Sequence, residues 1–144
     1  MRIALVSCVK AKLSVPAPAR ELYTSPLFRG LRRYAMDQAD AWFILSAEYG
    51  LLHPDQVVAP YERTLIGMPS IDRRRWEERV LAQLLPALPS AAEVLILAGK
   101  PYRDYLEPVL REHGCLVSIP MEGLAIGKQL QFLKRCQDSI ANAQ

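Results

Sequence analysis

Three cysteines among 144 residues, Cys8, Cys115 and Cys136, are odd in number and far apart. That spacing excludes a disulfide-stapled scaffold and matches no zinc site. The two histidines, His53 and His113, have no Asp/Glu cluster at helical spacing beside them, so neither a metal nor a cofactor is expected. Seven glycines never gather into an extended phosphate-cradling loop. No apolar run approaches the length of a bilayer span, and Met1-Arg-Ile-Ala-Leu-Val6 runs straight into a strand without a small-residue cleavage site. Neither a membrane association nor a signal peptide is therefore expected, and the cytoplasm is the expected compartment. A net charge of +3 is too small to argue for nucleic acid by itself.

What is present is apolar content of 51%, enough for one good core, and a single α/β domain over residues 1–144 is expected. Arg2–Ser7 and Glu93–Ala98 are uninterrupted apolar runs of strand length, the pattern of strands covered on both faces. Ala41–Ser46 and Cys115–Ile119 give two more. Helical stripes follow: Ser25 caps a helix with Pro26 at its first position, running to about Asp40, and Ser70 is placed to cap Ile71–Leu85. A helix begins after Gly99-Lys100-Pro101 and closes at His113-Gly114, and Leu124–Ala141 forms the last. Cys8–Ser25 reads as loop. Strand and helix alternate with no hairpin signal, which predicts a three-layer α/β sandwich with a mostly parallel sheet of about four strands, Rossmann- or flavodoxin-like.

The segment Ile44–Leu65 is too long for an ordinary strand-to-helix connection and concentrates Ser46, Glu48, Tyr49, His53, Asp55, Tyr61, Glu62, Arg63 and Thr64, with Gly50, Pro54 and Pro60 as punctuation. In open α/β sheets ligands bind beyond the carboxyl ends of the strands. Those ends deliver Ser7, Cys8, Lys10 and Lys12; then Ser46, Glu48, Tyr49 and Gly50; then Gly99, Lys100 and Tyr102; then Met121, Glu122 and Gly123. Lysines there, with Gly99 leading into a helix, suit an anion. Tyrosines suit stacking on a base. Glu48 and Glu122 are the carboxylates placed to stabilise a cationic transition state at a glycosidic bond. Lys10, Ser46 and Tyr49 are expected to line one cavity, Gly50 to hold a conformation awkward for other residues, and Tyr61 to close the wall. Residues 1–33 carry seven bases against one acid, Glu21, and Arg73-Arg74-Arg75 run in succession, so an anionic partner is expected.

The motifs resemble a known family. Leu45-Ser-Ala-Glu-Tyr-Gly-Leu-Leu-His-Pro54 followed by Pro60-Tyr61 is similar to the Leu-Ser-Gly-Leu-Tyr-Gly-x-Leu-Arg-Pro…Pro-Tyr-Arg signature of the YaaA peroxide-stress proteins. Ser7-Cys-Val-Lys10, Leu22-Tyr23-Thr24 and Leu97-Ala98-x-x-x-Tyr102 with Pro108 resemble three further blocks in the same order. The resemblance implies a role in oxidative-stress defence with binding to DNA, and carries over Ser7, Lys10, Tyr23, Ser46, Tyr49, Gly50, Pro60, Tyr61, Ala98 and Tyr102. It does not carry Glu48, which stands where that family has an apolar residue. His53, Glu62 and Met121-Glu122-Gly123 also depart from it, and the family's DNA-binding helical insertion is missing. Three readings remain: a nucleotide- or base-binding pocket with hydrolytic or transfer chemistry at an N-glycosidic bond, a non-enzymatic DNA-binding stress protein, and an enzyme on another small anionic substrate.

Overall fold

The structure, a computed structural model, describes residues 1–7 and 12–143. In chain order the elements are β1 (Arg2–Ser7), β2 (Ala17–Pro18), α1 (Ala19–Leu22), α2 (Pro26–Gln38), β3 (Ala41–Ser46), β4 (Gly50–Leu52) and β5 (Val57–Val58). They continue with α3 (Ser70–Leu84), β6 (Glu93–Leu97), α4 (Lys100–Arg103), α5 (Leu106–Glu112), β7 (Leu116–Ser118) and α6 (Ile126–Ala143).

β1 is central because its apolar run has no polar side to offer water. It pairs in parallel with β3 on one side, Ile3 opposite Ala41 through Ser7 opposite Leu45, and with β6 on the other, Arg2 opposite Glu93 through Val6 opposite Leu97. Side chains alternate across a strand. Ala4 and Val6 accordingly enter one core with Phe28, Leu31 and Ala35 of α2 and Leu133 of α6. Ile3 and Leu5 enter the other with Trp76, Val80 and Leu84 of α3 and Leu106 and Leu110 of α5. Helices thus cover both faces of a mixed α/β sheet whose order is β4-β3-β1-β6-β7. Each fully buried Phe or Leu contributes about 1.5–3 kcal/mol relative to exposure. The start of α2 is as expected, with Ser25 Oγ accepting from Phe28 N at 3.0 Å and Pro26 at the first position.

Three expectations need correction. The sheet has five strands, and β4 turns back antiparallel on β3, pairing Ser46 with Gly50 across a three-residue connection, so a hairpin exists. Gly50 permits it: at φ +77° it occupies the left-handed region that glycine enters freely. Second, residues 12–24 are more than loop. Ala17 and Pro18 pair antiparallel with Val58 and Val57, and α1 follows at once. Third, Ser70 makes no capping bond; Pro69 precedes the helix, and Ile71 lies exposed rather than in the stripe.

Candidate functional site

The small β2–β5 sheet brings two distant segments together. Ala19 N donates to Gln56 O at 2.8 Å and Arg20 N to Pro54 O at 2.9 Å, so the stretch after β4 lies along the start of α1. Lys12 bridges Tyr23, and Leu13 N donates to Leu22 O at 2.8 Å. Tyr23 and Tyr61 therefore arrive beside the carboxyl end of β3, where Ser46 is wholly buried. Burial obliges hydroxyls to find partners. Ser46 Oγ accepts from Tyr49 N at 3.0 Å and donates to Tyr61 Oη at 2.9 Å, and Tyr61 Oη shares a hydrogen bond of 2.6 Å with Tyr23 Oη. The Tyr49 and Tyr61 rings meet edge-on at 5.4 Å, and Tyr49 Oη donates to Ala59 O at 2.9 Å. Over this group sits the Lys12 ammonium, 4.7 Å from the Tyr61 ring centre and 5.9 Å from that of Tyr23. A cation over an aromatic face is attracted by the ring quadrupole.

Five residues singled out from sequence, Lys12, Tyr23, Ser46, Tyr49 and Tyr61, are thus one cluster, with Gly50 setting the turn beside it. Ser7 ends β1 one strand over, nearly buried. Cys8 and Lys10 lie outside the described residues, so the cavity expected from Lys10, Ser46 and Tyr49 has no described Lys10 wall. The remaining candidates fall elsewhere. Gly99 and Lys100 are exposed, and α4 is only four residues long, too short to present a helix-end anion site. Tyr102 packs edge-on to Trp76 at 5.7 Å within the opposite core. Glu122 is exposed on the turn after β7, whereas Glu48 rides the tip of the β3–β4 hairpin and pairs with Arg63 at 3.7 Å. The bases do not make one continuous face either: Arg29, Arg32 and Arg33 belong to α2 and Arg73–Arg75 to α3, on opposite sides of the sheet.

On the α3 side of the same strand end a cleft of about 340 Å³ opens, lined by Arg63, Arg75, Arg79, Asp72, Met68 and Trp76, with Ala47 at its edge. Trp76 Nε1 donates to Ser46 O at 2.8 Å. Ser46 is therefore the partition: its hydroxyl serves the tyrosine cluster and its carbonyl fixes the indole in the cleft. Arg79 Nη1 donates to Glu48 O at 2.9 Å. The cleft was not assembled from sequence, although Arg75 and Arg79 one turn apart beside Trp76 carry the signal.

Three groups have raised pKa values. Glu77, with a side chain 6% exposed, is pushed up by burial, partly offset by Arg74 at 3.6 Å. Burial raises the Cys115 thiol, and burial followed by Cys136 raises Tyr34. Among the described residues no group of three or more His, Cys, Asp or Glu could hold a metal ion, and no helix is long and apolar enough to cross a membrane.

The model of a family of unknown function, DUF6884, matches residues 3–135. The Bacillus subtilis (strain 168) protein YfjM, described as uncharacterized, is 33% identical over 148 residues, covering 93% of each chain. No solved structure matches the chain.

Proposed function

We propose, for a chain that belongs to the DUF6884 family of unknown function, that the carboxyl edge of its sheet binds a nucleotide or a nucleic-acid base and that the protein acts in the cytoplasm on an N-glycosidic bond. One observation carries the reading: Lys12, Tyr23, Ser46, Tyr49 and Tyr61, drawn from three separate stretches, converge at that edge with a cation 4.7 Å above a tyrosine ring. Aromatic faces beside a fixed positive charge suit a base carrying phosphate. The strand order adds support. Among the parallel strands β1 lies between β3 and β6, a flavodoxin-like order in which connections leave in opposite directions and a crevice forms at the switch.

In this reading Glu48, held by Arg63 at the hairpin tip, is the carboxylate facing the developing oxocarbenium charge. Thermal-shift measurement against nucleosides, nucleotides and short oligonucleotides tests it. At least one is expected to raise the melting temperature, with the rise lost in Lys12→Met; a flat response to all of them refutes the pocket.

A second reading, a non-enzymatic DNA-binding protein of oxidative-stress defence, follows the YaaA resemblance. It is favoured by the three arginines of α2, of which Arg29 is exposed and Arg33 is neutralised by Asp37 at 3.0 Å. Its mark would be duplex affinity falling steeply with salt.

A further inference from the structure

The cleft beside Trp76 is chemically unlike the tyrosine cluster. Three guanidinium groups, Arg63, Arg75 and Arg79, face one lining carboxylate, Asp72. Glu48 offsets part of this, since Arg63 pairs with its carboxylate and Arg79 Nη1 donates to its backbone carbonyl. Arg75 has no ion-pair partner among the described residues, although it is exposed at the cleft wall. Like charges gathered in a concavity repel and raise the local positive potential unless an anion enters. Each guanidinium presents five N–H donors in a planar fork that matches two oxygens of a phosphate at once. The floor is rigid because the Trp76 indole is held between Ser46 O at 2.8 Å and the Tyr102 ring at 5.7 Å. A volume of about 340 Å³ is ample for a diphosphate.

We propose that this cleft is an oxyanion site for the phosphate or pyrophosphate group of a small molecule, with Arg75 as the principal ligand and Arg63 and Arg79 as flanking donors. The site goes beyond the base-binding reading and stands without it: its principal ligand, Arg75, has no part in that reading, although Arg63 and Arg79 also hold Glu48.

The test is titration of the uniformly ¹⁵N-labelled protein with inorganic pyrophosphate at constant ionic strength, read at the Trp76 indole N–H. Pyrophosphate is expected to shift that resonance saturably, inorganic phosphate more weakly. Arg75→Gln should weaken binding roughly tenfold or more, the scale of one charge-assisted fork contact. Arg75→Lys, which keeps the charge and loses the fork, should fall between the two. Arg33→Gln, on α2 across the sheet, should stay within about twofold. An unmoved Trp76 resonance overturns the proposal, as does equal weakening by Arg75→Gln and Arg33→Gln, which would mean general charge attraction. Adenosine and guanosine form a separate arm: their failure to bind counts against the tyrosine reading and leaves the pyrophosphate result intact.

Discussion

Replacing Ser46 with alanine deletes one oxygen and no carbon, so the loss is purely one of hydrogen bonding. Ser46 is wholly buried, and its Oγ both accepts from Tyr49 N at 3.0 Å and donates to Tyr61 Oη at 2.9 Å. A net hydrogen bond contributes about 0.5–1.5 kcal/mol, and a buried group left without its partner costs about 1–3 kcal/mol. Tyr49 and Tyr61 are half-buried, which lets water repair part of the damage. The expected cost of Ser46→Ala is therefore about 2 kcal/mol. Tyr61→Phe leaves the buried Tyr23 hydroxyl without the Tyr61 oxygen and removes the acceptor of Ser46, for about 1–2 kcal/mol. The Ser46–Tyr61 bond is lost in both single variants, so the double variant should cost less than the sum by about 0.5–1.5 kcal/mol. Urea unfolding followed by circular dichroism measures all four proteins. With a slope of about 2 kcal/mol per molar, Ser46→Ala should lower the midpoint by about 1 M at unchanged slope. Additivity within about 0.3 kcal/mol would refute the hydroxyl chain.

Gly50→Ala should destabilise by about 2 kcal/mol, because φ is +77° and a Cβ there would lie 2.6 Å from Gln83 Oε1, the acceptor for Leu51 N; the penalty should shrink when Gln83 is also replaced by alanine. Ser25→Ala should cost about 1 kcal/mol by thermal unfolding, since Phe28 N loses its cap. Glu77 holds its proton to higher pH in the fold than in the unfolded chain, so its effect on stability is nil below the unfolded carboxyl range and becomes unfavourable as pH rises through the folded value. Glu77→Gln should consequently flatten the fall in stability across the weakly acidic range, and an unaltered pH profile would show that burial does not govern this carboxyl.

Where a stretch of sequence determines its own structure, the reading was direct. β1 and β6 lack any polar residue between their ends, which only a strand covered on both faces tolerates, and Ser25-Pro26 marks its helix by local chemistry alone. β2 and β5 are two residues each and have no period to detect; their pairing is decided by tertiary contact 41 residues apart, Ala17 with Val58. Gly50 has the positive φ its sequence context predicts, yet the hairpin stays hidden because β4 is only three residues long and shows no strand period. The tyrosine and lysine candidates converge because strand ends gather residues regardless of sequence separation. Glu122 and Lys100 also sit at strand ends yet remain on the surface, since nothing apolar beside them draws them inward. The arginine cleft needed the crossing of α3 over the end of β3, which no local pattern specifies.

The central position of β1 has a kinetic consequence. Its two neighbours are β3, about 40 residues later, and β6, with Arg2 opposite Glu93, 91 positions away. During synthesis at about 5–20 residues per second, one edge of β1 waits on the order of five to twenty seconds after its own emergence before β6 exists to cover it. Throughout that interval an apolar strand with free N–H and C=O groups is an open template for pairing with another nascent chain. Chains truncated before Glu93 are expected to be insoluble when released from the ribosome, whereas a chain tethered until β6 has emerged should fold, and slowing elongation should lower the soluble yield by lengthening the exposure.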